Sequence, residues 1–149
     1  MESTHYDRPD WLTRNVFNRA VAGLTRAGVS VVGSRVLEVP GRHSGQPRRT
    51  PVNLLDLDGG RYLVAARGET EWVRNVRAAD GHLVLIKGRH RQAVQVVELA
   101  DPDKAPVLRA YLERWKFEVG MFFQGVGPES SDQELTAVAG RHPVFRLLP

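Results

Sequence analysis

Apolar residues change their spacing several times along this 149-residue chain, and each change predicts an element. Leu12, Val16, Phe17, Ala20, Val21 and Leu24 recur with helical period, Asp10 is placed to cap them, and Gly28 ends the run. A helix is therefore expected over about 10–27. From 29 to 39 the pattern turns β-like, most clearly in "RVLEV". "VNLLDL", "DGG" and "RYLVAA" then read as strand, turn and strand, broken by Gly68. "ETEWVRNVRAA" returns to helical spacing, with Trp72, Val73 and Val76 on or near one face. A second hairpin follows in "HLVLIK", "GRH" and "RQAVQVVEL". Beyond Asp101, "PDKAPVLRAYLERWKFE" predicts a helix with Leu108, Tyr111, Leu112 and Trp115 on one side. Residues 120–133 read as a flexible or functional loop, "ELTAVAG" as a last short helix and "HPVFRLL" as a closing strand.

Five or six antiparallel strands joined by hairpins, with helices at the start and in the connections, predict a small α+β barrel. The strand–helix alternation of a Rossmann sheet is missing. The length suits a single domain over 1–149. Within it the N-terminal helix is expected at about 10–27, the barrel at about 29–99, and the later helices and closing strand at about 101–149.

Composition narrows the class. With 42% hydrophobic and 26% charged residues the chain reads as globular. No apolar run nears the roughly 18 residues of a membrane helix. The opening "MESTHYDRPDWL" has no cationic-then-apolar leader, so a cytoplasmic address is expected. Cysteine is absent, which excludes disulfides and thiolate metal sites. His5, His43, His82, His90 and His142 show no metal-site spacing, so no metal is expected and surface or turn positions are. The net charge is +4, and arginine supplies 18 of the 21 cationic residues. That balance suits nucleic acid, an anionic surface or a small polyanion. No recognition helix or strand of exposed aromatics accompanies the charge, which argues against nucleic acid.

The charge gathers in "PGRHSGQPRRTPV", residues 40–52, and no acidic residue occurs from Val39 through Leu55. The stretch lacks the Lys-Ser/Thr pair of a Walker loop and the spacing of a nucleophile elbow. Its chemistry is that of an anion cradle. Gly41 and Gly45 let the backbone turn its N–H groups inward, Ser44 adds a hydroxyl, and Pro47 and Pro51 reduce the freedom lost on binding. A solvated surface turn is the competing reading. Trp72 and Asn75, one helical turn apart, read on their own as a core ring and a capping or surface amide. For at least half of Trp115, Phe117, Phe122 and Phe123, core packing is favoured over a ligand pocket.

The order of "GRHSGQPRRTPV", a Gly-Gly hairpin to "YLVAARG", "WVRNVRA" and paired strands resembles the deazaflavin-dependent oxidoreductases of the nitroreductase-like family. The resemblance runs from about Val36 to Leu99, with a looser echo in "HPVFRL". It implies a split β-barrel of the pyridoxamine-phosphate-oxidase type, with an N-terminal helix and peripheral helices. It also implies bound coenzyme F420, with FMN as the alternative cofactor. By matching position, Arg42, His43, Ser44, Gly45, Arg48 and Thr50 would hold the anionic tail. Ala65, Ala66 and Arg67 would lie along the ring, and Trp72 and Asn75 would close the ring site. The implied reaction is hydride transfer from reduced F420 to a small conjugated acceptor: a quinone, an enone or a nitro compound. Tyr111 is a candidate proton donor without motif support, and catalytic residues are otherwise unassigned. His43 stands where family members often carry lysine, which makes that charge sensitive to pH. Substrate-facing tyrosines of nitro-reducing members lack clear counterparts, and Asn53 occupies one such region. Homodimers are common in this fold. A carrier of deazaflavin, FMN or lipid on the same barrel is the second reading, and a nucleic-acid module a more distant third.

Overall fold

The computed structural model describes residues 34–149, apart from the side chain at 117. The helix expected over about 10–27 lies outside the described residues. Six antiparallel strands close a barrel: β1 (Ser34–Pro40), β2 (Pro47–Leu57), β3 (Gly60–Val64), β4 (His82–Lys87), β5 (His90–Glu98) and β6 (Val144–Leu147). Their order around the barrel is β1-β2-β3-β6-β5-β4, with β4 pairing back to β1. The hairpins β2–β3 and β4–β5 are those the alternating pattern predicts. The short β6 pairs with both β3 and β5 and completes the ring of hydrogen bonds.

Strand parity sorts the side chains into two cores. Leu37, Val39, Leu54, Leu63, Leu83, Leu85, Val96, Phe145 and Leu147 share the interior cluster. Helix α1 (Glu71–Ala78) adds Val73 and Val76 to that cluster, with Trp72 packed against it. Leu55, Val64, Ala66 and Val144 belong to a second cluster. Helices α2 (Ala105–Val119) and α3 (Asp132–Val138) cover it with Leu108, Tyr111, Leu112, Trp115 and Leu135. The one-sided apolar stripe expected on α2 is thus the stripe that is buried.

Four expectations need correction. The basic stretch is mostly strand: β2 begins at Pro47, leaving Gly41–Gln46 as the turn. The strand "RYLVAA" stops at Val64, and Ala65–Arg67 turn instead, closed by Gly68 N–H on the Ala65 carbonyl at 3.1 Å. Residues 120–133 are tied down. A 3-10 turn occupies Gly120–Phe122, Phe123 is buried, and Arg109 donates to the Ser130 carbonyl at 2.8 Å and pairs with Asp132 at 2.7 Å. Ser131 and Glu134 then form a reciprocal cap on α3. Fourth, His142 is buried rather than at the surface: its ring stacks on Phe123 at 4.0 Å and its Nδ1 lies 3.0 Å from the Ala66 carbonyl. A lone histidine carries no sequence signal for that packing.

At the joint between α1 and β4 the backbone leaves no room for a side chain. Gly81 has φ +81°, donates to the Val76 carbonyl at 2.9 Å and accepts from Val96 N–H at 2.9 Å. A Cβ there would lie 2.2 Å from the Val96 carbonyl oxygen. Gly81→Ala is expected to cost at least about 2 kcal/mol, because strain and overlap with backbone add. Urea denaturation of the two proteins measures it, and an unchanged midpoint would show that the joint relaxes freely.

Candidate functional site

The turn between β1 and β2 is built by its own hydrogen bonds. Gly41 N–H donates to the Gln46 carbonyl and Gly45 N–H to the Gly41 carbonyl, both at 2.8 Å. Gly45 has φ +74°, a conformation that glycine adopts without strain. Ser44 Oγ accepts from Gln46 N–H at 3.1 Å and lies 3.5 Å from Arg48 Nη2. At Gly41 the space is already used: a Cβ would sit 3.1 Å from Ser44 Oγ and 3.2 Å from Arg48 Nε.

Helix α1 anchors this turn through one side chain. Asn75 is buried, and its Oδ1 accepts from Arg42 N–H at 3.0 Å and from Arg42 Nη1 at 2.9 Å. Arg42 Nη1 also meets Glu71 Oε1 at 2.8 Å. The Arg42 side chain is 22% exposed and that of Glu71 71%. The guanidinium therefore sits in a fixed place, while its carboxylate partner lies in solvent. That hydrogen bond holds the Glu71 carboxyl below its usual range.

Strand parity divides the remaining arginines. Arg48 and Thr50 pair with Val39 and Leu37, so they share the barrel-interior face of β2. Arg49 lies on the opposite face, 2.7 Å from Glu38 Oε2, and Arg91 reaches the other Glu38 oxygen. These two hydrogen bonds hold the Glu38 carboxyl low as well. Three arginines close in sequence are thus two on the turn side, Arg42 and Arg48, and one in a separate ion-pair cluster.

The residues expected along the ring differ in their packing. Ala65 packs into the barrel interior and Ala66 into the outer core, so their side chains face opposite ways. Ala65 N–H donates to the Pro143 carbonyl at 2.8 Å, which ties the turn to the start of β6. The Arg67 guanidinium lies over the Phe122 ring at 5.1 Å. Trp72 is half-buried, 5.7 Å from Phe145. His43, Ser44, Gly45 and Arg48 are exposed, and Thr50 is half-buried. Tyr111 is a core residue instead, in contact with Trp115 and Phe123 and hydrogen-bonded to Asn53. Burial pushes its phenol up to about 12. Sequence reasoning did not single out Glu71, which lies just before the "WVRNVRA" motif, and it expected His142 at the surface or in a turn rather than packed in the core. Among the described residues no group of three His, Asp or Glu side chains stands where it could hold a metal ion. Nor is any helix among them long and apolar enough to cross a membrane.

This closed antiparallel barrel with helices outside it is the split barrel of the pyridoxamine-phosphate-oxidase type. A structure described as an F420-H2 dependent reductase matches with TM-score 0.51 and 17% identity, over 80% of this chain and 99% of that one. One from Listeria innocua, provisionally described as a pyridoxamine 5'-phosphate oxidase, matches with TM-score 0.51 and 17% identity, over 78% and 83%. A third, described as a domain-swapped dimer, matches with TM-score 0.55 and 18% identity, over 93% and 98%. At these identities the likeness is one of fold. The chain belongs to the family described as F420H(2)-dependent quinone reductase, whose profile matches residues 12–117. Membership supports a reductase with F420 as its cofactor. No curated protein matches the chain.

The Tyr111 environment sets a pH dependence. Its ionisation lies near 10 in the unfolded chain and at about 12 in the fold, so folding favours the neutral phenol. The stabilisation is present in full below about pH 10 and is lost as pH rises toward 12, on the order of 2 kcal/mol in all. Denaturation followed from pH 9 to 11.5 should show this decline, and Tyr111→Phe should flatten it. An equal decline in the variant would contradict the assignment.

Proposed function

We propose that this protein passes a hydride from reduced F420 to a small conjugated acceptor, with a quinone as the first choice and enones or nitro compounds as the alternatives. The observation that carries the reading is a guanidinium, Arg42, fixed by a buried amide at a glycine turn that holds Ser44 and leads into Arg48 on β2. These donors fit the phosphate and carboxylates of a deazaflavin tail, since a fixed arginine grips oxyanions with little ordering cost.

In this reading Arg42, His43, Ser44, Gly45, Arg48 and Thr50 hold the tail. The Ala65–Arg67 turn and Trp72 border the ring. Asn75 acts beneath the site by holding Arg42, and the Val73–Val76 face of α1 keeps water from the barrel end. When bound, the reduced deazaflavin supplies a hydride from its ring carbon, and the acceptor gains that hydride and a proton. The chain's share of the chemistry is orientation and exclusion of water. Tyr111 lies in the core with its proton firmly held, so solvent is assigned as the proton source. The fold also admits a homodimer, the state named for one of the similar structures.

Arg48→Ala tests the grip. Losing one hydrogen bond to a charged group should weaken F420 binding by about 10- to 100-fold in a fluorescence titration. Affinity equal to that of the parent would mean that the tail lies elsewhere. Binding of reduced F420 without oxidation by any quinone, enone or nitro compound would favour a carrier.

A further inference from the structure

The cation at the centre of the proposed site already has an anion against it. Glu71 Oε1 lies 2.8 Å from Arg42 Nη1, on the guanidinium nitrogen that Asn75 also holds. The two partners are unequally free. Arg42 is mostly buried and bonded at both backbone and side chain, whereas the Glu71 side chain is 71% exposed. A second cation waits for Glu71 on its own helix: Arg74 Nη1 is 3.9 Å from Glu71 Oε2, at the i,i+3 spacing that places both on one side of α1. Among the described residues Arg74 pairs with no other carboxylate, and its side chain is 42% exposed.

We infer that Glu71 is a resident competitor for the anion site: it neutralises Arg42 in the free protein and swings to Arg74 when the ligand's oxyanion takes its place. This rests on the reading above that the turn holds the F420 tail. The exchange trades one carboxylate on Arg42 for another group with stronger or multiple negative charge, and no charge is left unpaired. A weak monoanion gains little from such a trade, so Glu71 makes the site selective for phosphate or clustered carboxylates. An exposed ion pair contributes modestly, which keeps the competitor displaceable.

The test is F420 titration, by fluorescence, of the parent chain and of Glu71→Gln, Arg74→Ala, the double variant and Glu69→Gln. Glu71 is exposed, so its substitution leaves the core intact. Glu71→Gln should bind about two- to fivefold tighter than the parent. Arg74→Ala should bind weaker by a similar factor, but only while Glu71 is present; the double variant should match Glu71→Gln. Glu69, which pairs with Arg77 at 3.2 Å, is the control for a general loss of negative charge, and its variant should bind like the parent. Equal or weaker binding by Glu71→Gln overturns the inference, as does equal tightening by Glu69→Gln. A loss from Arg74→Ala that is the same in both backgrounds overturns the swing. Failure of the parent chain itself to bind F420 would instead overturn the functional reading.

Discussion

One buried amide connects the barrel to the charged turn. Asn75 accepts both the main-chain N–H and the guanidinium of Arg42, so the turn's position follows that of α1. The helix in turn is fixed from two sides. Val73 and Val76 are buried with the barrel interior, and Arg77 reaches Glu98 of β5 with two hydrogen bonds of 2.9 and 2.7 Å. A free arginine on a surface turn would lose much side-chain freedom on gripping an anion. Here that ordering has occurred on folding, and the barrel's packing offsets it.

Charge in this chain is partitioned rather than spread. The strand's period of two sends Arg48 and Arg49 to opposite faces of β2. Arg49 joins Arg91 around Glu38, Arg77 bridges Glu69 and Glu98, and Arg109 holds Asp132 and the Ser130 carbonyl. These four arginines thus fasten elements to one another. What remains at the turn is a small group, Arg42 and Arg48 beside Ser44. A net charge of +4 alone would have suggested a diffuse basic surface.

Local regularities were legible in the sequence, and contacts between distant segments were not. Period-two alternation and a Gly-Gly turn located both hairpins, and a 3.6-residue stripe located the buried face of α2. The edge of the basic turn was misplaced because prolines and arginines weaken a strand signal, although Pro47–Thr50 pair fully with β1. The segment 120–133 reads as a flexible or functional loop because it is rich in glycine and serine. Its order comes from Arg109 and Phe123, which act across the fold. His142 is legible only once β6 lies beside β3 and brings it under the Ala66 carbonyl. The sequence pattern placed a turn and a helix near where Gly41–Gln46 and α1 stand. It did not reveal that Asn75 faces the turn, nor that Glu71 shares its arginine.

We propose that affinity for the deazaflavin comes from its negatively charged tail, held by the turn between β1 and β2. Titration of the purified protein with F420, and with the same deazaflavin lacking phosphate and glutamates, tests it most directly. The complete cofactor should bind tightly and in a salt-sensitive way, and the tailless ring should bind at least about 100-fold more weakly, with little salt dependence. Equal affinity for both would place the binding energy in the ring and contradict it.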